Sequence, residues 1–307
     1  MDILHQIPTE TKIKSELKKV LFGKTLFCPR CGSRHLKKYQ GRHYCKRCRR
    51  PFTFTSITWL RGMKLSLSIF WLLLWCWENK LPVDQTRRVC GLSEPTVRNW
   101  YDKFREHLPQ DKLSQIRLSG VIQMDEAYRG GKKKGYAIIG AKQKAEPNQQ
   151  RKMVFQVVPK PSVDRSDAVN FLCQNVVPKS QLNTDGYSIY RGIDKWWPVQ
   201  HQYERHNRWE FALTSEIEGE WGAYTTFVRR MYHHITREKV ASVLQEFAAR
   251  QMFPEWFRSP SSFLEVALQP ISRIVRKPGK PRANFYQVKE PISSTNCLLN
   301  GLSLVPY

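Results

Sequence analysis

Three short acidic stretches and two cysteine pairs hold the residues of this chain whose types and spacing could do chemistry. The first stretch, Val121-Ile122-Gln123-Met124-Asp125-Glu126, is an apolar run that ends in carboxylates. The second, Leu182-Asn183-Thr184-Asp185-Gly186-Tyr187, is a strand-like lead into an Asp-Gly turn. The third runs from Thr214 to Trp221 and opens a periodic segment. There Ile217, Trp221, Tyr224, Val228, Met231 and Ile235 recur at alternating steps of four and three, which predicts an amphipathic helix. Glu218 sits about 100° round from Ile217, at the border of that stripe. Two strand-end aspartates and one helical glutamate can hold a pair of Mg²⁺ ions. Hard, oxygen-ligated cations of this kind clamp the attacking and leaving oxygens of a phosphodiester displacement. Singly, each acid reads as a surface residue; their order in so basic a chain points to a site.

The cysteines define a second centre. Cys28-Pro-Arg-Cys31 and Cys45-Lys-Arg-Cys48 are separated by 13 residues. Each pair offers two thiolates from one tight knuckle, and two knuckles complete a closed, tetrahedral Zn²⁺ site. Between them the chain alternates and turns at Gly41, as a hairpin would, and Phe52-Thr-Phe54 supplies a further strand. A redox role needs one Cys-x-x-Cys, not two. His35 and His43 lie in the segment, but four thiolates already close the shell. The metal is structural, because so small a segment cannot bury enough core alone. Arg30, Arg34, Lys37, Lys38, Arg42, Lys46, Arg47, Arg49 and Arg50 surround it, a charge density suited to phosphates. Arg30 and Arg47, inside the knuckles, are the leading candidates for that contact.

Composition sets the partner class. The 307 residues include 51 Lys+Arg against 26 Asp+Glu, a formal charge of +25. Such an excess points to nucleic acid ahead of an anionic membrane surface. Met1 to Val20 is polar and lacks an apolar core, so no secretory signal is expected. The longest apolar run, Ile69 to Trp77, is too short to span a bilayer. Cys76, Cys90, Cys173 and Cys297 are scattered, as expected of reduced thiols in a cytoplasmic protein.

Five segments must position these groups. Residues 1–24 read as a short leader, helical from Glu10 to Leu21, and residues 25–58 as the zinc ribbon. Residues 62–110 read as a helix-turn-helix region. A buried-type helix spans Leu65 to Trp77, and the segments Val83–Cys90 and Glu94–Phe104 flank Gly91-Leu92-Ser93. Ser93 is a natural N-cap and Pro95 is tolerated in a first turn. Thr96, Arg98, Asn99 and Lys103 are the candidates to face a DNA groove; an ordinary helical hairpin is the other reading. Pro109 to Ser119 reads as a linker.

Residues 119–253 turn β-rich. Val121–Met124, Tyr136–Ala141 and Met153–Val158 read as consecutive strands, followed by a helix at Ser166–Val177 and a strand at Gln181–Thr184. A short helix at Tyr190–Trp197 and a strand at Val199–Tyr203 complete an α/β sheet with helices on its faces. In a ribonuclease-H-like arrangement, one aspartate lies on the first strand, one just after the fourth, and the last acid on a late helix. Asp125, Asp185 and Glu218 occupy those places. Residues 254–307, with seven prolines and a basic cluster at Arg273–Arg282, read as an irregular tail that embraces DNA or a second protomer.

At the level of motifs the chain resembles the ISXO-like DDE insertion-sequence transposases, relatives of the eukaryotic Merlin elements. The matching residues are Met-Asp125-Glu-Ala-Tyr-Arg-Gly-Gly131, Thr-Asp185-Gly-Tyr-Ser-Ile-Tyr190, and Ile-Glu218-Gly-Glu-Trp221 followed by Tyr-His-His234. The resemblance runs from the cysteine pairs to about Pro254. It implies a ribonuclease-H-like catalytic domain that cuts and rejoins DNA at element ends with two Mg²⁺ (or Mn²⁺) ions, in a bacterial or archaeal, nucleoid-associated setting. It also implies a dimer or higher assembly, since two ends must be held together, with element terminal repeats and target DNA as partners. Asp125, Asp185 and Glu218 match the family's metal-binding triad. Ser215 stands where the family commonly has Asn, and Thr225 where it has Lys; Arg229, a turn further on, is a candidate substitute.

Several neighbours need their own reading. Glu126 alternates to the strand face opposite Asp125, which favours a structural or solvated role. Glu216 and Glu220 lie away from Glu218 and replace it only if the helix register is shifted. The run Arg129-Gly-Gly-Lys132-Lys133-Lys134 joins two strands, either as a solvated tip or as a hold on the DNA backbone. His233 and His234 fall about four turns along the helix from Glu218 and are given no catalytic role. Trp196, Trp197, Trp209 and Trp221 read as core or lid residues. Two other classes remain open: a DNA-binding protein that has lost its chemistry, and a ribonuclease-H-like nuclease without strand transfer.

Overall fold

Alternation of apolar residues every second position builds the centre of the larger of two compact units, which spans residues 1–24 and 54–270. The structure, a computed structural model, describes residues 7–129, 135–146, 149–204 and 213–271. Five strands form one mixed sheet: β4 (Val121–Arg129), β5 (Tyr136–Gln143), β6 (Lys152–Val158), β7 (Gln181–Thr184) and β8 (Gln200–Tyr203), in the order β6-β5-β4-β7-β8. The first three are antiparallel neighbours, whereas β4–β7 and β7–β8 pair in parallel. One face buries Ile122, Met124, Ile139 and Leu182 against Phe171 and Leu172 of helix α6 (Arg165–Asn175). The other face carries α7 (Ser215–Met231), on β4 and β5, and α8 (Val240–Met252), on β6.

The amino-terminal helices belong to the same unit. They are α1 (Glu10–Phe22), α2 (Leu67–Glu78), α3 (Val83–Cys90) and α4 (Glu94–Glu106). Phe70, Trp77, Trp100 and Phe104 make edge-on or tilted ring contacts, an arrangement the aromatic quadrupole favours. The stretch expected to be an irregular tail begins otherwise. Helix α9 (Pro260–Ala267) follows a short 3₁₀ turn and buries Phe263 against Trp77 and Phe104. Pro254 opens that 3₁₀ turn and Pro260 opens α9, where a missing N–H costs nothing. The expected linker likewise contains a short helix, α5 (Gln110–Ser114), and Leu118 bridges to Val176. The expected helix at Tyr190–Trp197 is two 3₁₀ turns, Ser188–Tyr190 and Ile193–Lys195, separated by Gly192 at φ 68°.

A buried ionic network ties the helical layer to the sheet layer. Glu246 of α8 is fully buried and accepts from Arg250 Nε at 2.9 Å, Tyr232 Oη at 2.6 Å and Arg105 of α4 at 3.3 Å. Arg250 also donates to the Trp77 and Glu78 carbonyls at 2.6 and 3.0 Å, closing the end of α2. Glu78 itself is less well served. Burial pushes its carboxyl up to about 9 despite the nearby Arg250, and neither oxygen has a hydrogen-bond partner among the described residues. Folded Glu78 therefore keeps a proton that the unfolded chain releases, and its contribution to stability falls as pH rises from about 4.5 to about 9. Glu78→Gln is expected to flatten that fall and to gain on the order of 3 kcal/mol at pH 7. Urea unfolding at pH 5 and pH 8 checks this: parallel pH dependence in variant and wild type would exclude Glu78 as the group responsible.

The second unit contains residues 25–53. Three short strands, β1 (Leu36–Tyr39), β2 (Arg42–Cys45) and β3 (Pro51–Phe52), form an antiparallel sheet. No helix among the described residues is long and apolar enough to cross a membrane.

Candidate metal and nucleic-acid sites

The two cysteine pairs occupy twin turns. Gly32 N–H donates to the Cys28 carbonyl and Arg49 N–H to the Cys45 carbonyl, each at 2.9 Å, four residues after the first cysteine. Both donors lie at positive φ, 68° and 53°, which curls each knuckle back on itself. The four sulfurs of Cys28, Cys31, Cys45 and Cys48 lie within 4.8 Å of one another. That set of soft donors is closed and fits a tetrahedral metal. The nine basic side chains named around it are all exposed.

In the larger unit, Gly91 in the left-handed region ends α3, and Ser93 precedes α4. Helix α4 buries Val97, Trp100, Tyr101 and Phe104. Its opposite side leaves Asn99 and Lys103 exposed and Thr96 and Arg98 half-exposed. Arg98 pairs with Glu94 at 2.8 Å, Thr96 bonds Ser93 at 2.8 Å, and the Lys103 ammonium lies 4.7 Å from the Trp100 ring centre. The side chain of Arg129, Lys132 and Lys133 fall outside the described residues.

The acids converge just beyond the point where β4 and β7 stop pairing, in the middle of β4 and after the end of β7. Asp125 lies on β4, and Asp185 follows β7 directly, accepting from Tyr187 N–H at 3.1 Å. One carboxylate oxygen each from Asp125, Glu126 and Asp185 falls within 4.8 Å of the others. Glu126 was expected to point away. Its side chain does start on the opposite face, but pairing of β4 with β7 stops at Gln123↔Asn183. Beyond that point the edge of β4 is open, and the longer Glu126 side chain reaches the shared space. There Tyr190, 1% exposed, donates its hydroxyl to Glu126 Oε2.

Electrostatics reflect this crowding. Burial, with the Asp185 and Glu218 carboxylates nearby, raises Asp125 to about 6, although the Trp221 indole N–H at 2.9 Å opposes the shift. Burial raises Glu126 to about 7, with Asp125 and Asp185 adding to it and Tyr190 opposing. A bound cation would relieve this excess of negative charge.

Glu218 sits in the first turn of α7, is exposed, and lies 3.0 Å from the Thr214 hydroxyl. It is not within the 4.8 Å cluster, but it is close enough to act on Asp125. Glu216 and Glu220 both pair with Lys142 of β5, at 3.3 and 2.9 Å, so the two carboxylates share one ammonium. The helix stops at Met231, and His233, at φ 60°, lies beyond it with His234. Ile235 therefore does not extend the apolar stripe as its spacing predicts. Thr225 is exposed and donates to the Trp221 carbonyl at 2.8 Å.

Two residues without a sequence signal place α7. Gln123 Oε1 accepts from Glu216 and Ile217 N–H, at 2.9 and 3.1 Å. Glu204, buried just after β8, accepts from Leu213 and Thr214 N–H, at 2.7 and 3.1 Å. Both satisfy N–H groups that the start of a helix leaves orphaned, and the carboxylate complements the helix dipole. Gln123→Ala is expected to cost about 1–2 kcal/mol, like the loss of a capping side chain. A shift under about 0.5 kcal/mol in chemical denaturation would mean that water takes over the cap.

Comparison with known proteins comes from three directions. Residues 117–251 match the family model of the ISXO2-like transposase domain. No curated protein matches the chain. Among solved structures, a cryo-EM structure of the simian T-cell lymphotropic virus intasome in complex with PP2A regulatory subunit B56 gamma has a chain with 11% identity and a TM-score of 0.33. The match covers 71% of this chain and 80% of that one, a likeness too remote to carry an argument. The family match covers Asp125, Asp185, Glu126, Glu218 and every strand of the five-stranded sheet. Over residues 117–251, this chain carries a segment that matches the ISXO2-like transposase domain family.

Proposed function

We propose that this protein is a DNA transposase that binds the ends of an insertion sequence and cuts and joins DNA strands with divalent metal. The observation that carries the reading is the meeting of Asp125 and Asp185 just past the paired segment of two neighbouring parallel strands, inside a stretch that matches a transposase domain. The sheet order, with three antiparallel strands followed by two parallel ones, supports a ribonuclease-H-like arrangement. Asp125, Asp185 and Glu218 would hold two Mg²⁺ or Mn²⁺ ions, and Glu126 stands close enough to join them. When bound, such ions activate the attacking water or 3′-hydroxyl and stabilise the leaving 3′-oxygen.

The chain's own contribution is placement. Trp221 holds Asp125, Tyr190 holds Glu126, the Tyr187 amide holds Asp185, and capping of α7 sets the height of Glu218. No covalent protein intermediate is needed, so no Ser, Cys or Tyr is assigned as nucleophile. The cysteine cluster would hold a structural Zn²⁺, with Arg30 and Arg47 facing phosphates. Thr96, Arg98, Asn99 and Lys103 would read a DNA groove, with Arg129, Lys132 and Lys133 on the backbone near the cut. Two ends held at once require a dimer or higher assembly.

The test uses DNA that flanks the protein's own coding sequence, incubated with the full chain and Mg²⁺ or Mn²⁺. Metal-dependent cutting and joining at those ends supports the proposal. Specific binding without cutting would instead identify a DNA-binding descendant that has lost its chemistry.

A further inference from the structure

The indole of Trp221 lies across the sheet face opposite α6, on the same helix as Glu218 and three residues beyond it. Its Nε1 donates to Asp125 Oδ2 at 2.9 Å, and the ring is only 9% exposed. Phe155 of β6 flanks it, with ring centres 5.3 Å apart. Beneath the ring is Gly140 of β5, the register partner of Asp125. A Cβ added at Gly140 would stand 2.7 Å from both Cζ2 and Cη2 of Trp221 and 2.9 Å from Phe155 Cδ1. Gly140 lies within a strand and is not among the glycines at positive φ, so no backbone conformation demands glycine there. What demands it is the space occupied by the indole and, beside it, the Phe155 ring.

We propose that Trp221, seated on Gly140, is a positioning residue that fixes the Asp125 carboxylate for metal binding and ties it to the helix bearing Glu218. The inference rests on the reading of Asp125 and Asp185 as metal ligands. An indole N–H on one carboxylate oxygen limits rotation about the Asp125 side chain, so less order must be imposed when a cation arrives. Because α7 carries both Trp221 and Glu218, a shift of the helix would disturb two of the three acids together.

The experiment measures Mn²⁺ binding to the zinc-loaded full chain without DNA, by the electron paramagnetic resonance of free Mn²⁺. Wild type runs beside Trp221→Phe, Gly140→Ala, the double variant and Asp185→Asn, each with a thermal melt. Trp221→Phe keeps a ring and removes the donor. It is expected to weaken Mn²⁺ binding about 10-fold, the usual cost of losing a partner behind a metal ligand, with little change in melting. Gly140→Ala should weaken binding in the same direction by displacing the indole. The double variant should lose little beyond Trp221→Phe alone, because phenylalanine lacks the two indole atoms that the added methyl meets and only the approach to Phe155 remains. Wild-type affinity in Trp221→Phe, with binding lost in Asp185→Asn, would overturn the positioning role and leave the metal site standing. Wild-type affinity in Asp185→Asn would overturn the metal reading, and this inference with it.

Discussion

Asp185→Asn is expected to reduce metal-dependent strand cleavage by about a thousand-fold while leaving DNA binding and folding unchanged. Asparagine keeps the shape of the side chain and its Oδ1, which accepts the Tyr187 amide at 3.1 Å and shapes the turn after β7. What it removes is negative charge at a point where carboxylate oxygens of Asp125, Glu126 and Asp185 lie within 4.8 Å. Metal ions contribute several kcal/mol to stabilising charge in a phosphodiester displacement, and each 1.36 kcal/mol is a factor of ten in rate. Cleavage of end-bearing DNA under single-turnover conditions measures the loss, and a gel shift on the same DNA measures binding. Cutting within tenfold of wild type would remove Asp185 from the site. Loss of binding together with cutting would point to a folding defect instead, which the thermal melt would reveal.

Removing the metal from the cysteine cluster is expected to unfold residues 25–53 while the larger unit stays folded. That segment buries only Phe27, Cys28, Cys45 and Phe52 among its apolar side chains, and its strands are four, four and two residues long. So small a core cannot offset the entropy of ordering the chain. In comparable small zinc-binding folds the metal supplies about 10–16 kcal/mol at neutral pH. Cys45→Ser, or a strong chelator, should abolish amide dispersion for these residues and open them to protease. The larger unit has its own aromatic core and the Glu246 network, so its melt should not move. A ribbon that stays folded after chelation, or a preparation without bound zinc, would refute a structural metal here.

Local periodicity made much of the sheet legible. β7 falls at Gln181–Thr184, the strand-like lead into the Asp-Gly turn, and β4, β5 and β6 begin where the sequence turns β-rich. These features depend on residues two to four apart, so a single chain shows them directly. The knuckle spacing is equally local, and the structure brings those four sulfurs together. Helix ends were less legible. α7 stops at Met231 although its apolar stripe continues to Ile235, because His233 adopts positive φ and the chain leaves the helix. In α9, proline marks a helix start in a stretch whose composition reads as irregular.

The amino-acid sequence by itself determined the sheet's strands, the two cysteine knuckles and the order of the acids along the chain. Tertiary structure alone decided which groups share a space. The Trp221–Asp125 bond joins residues 96 apart in sequence, and the Glu126–Tyr190 contact joins residues 64 apart. Strand alternation placed Glu126 correctly on its own face, yet where β7 ends, and so where β4 is left open, depends on a register between distant segments. The same holds for Gly140, whose meaning appears only when an indole from another element is laid across it. Patterns of period two or four are written into neighbouring residues by backbone geometry. Contacts across elements arise from register and packing, which no local window contains.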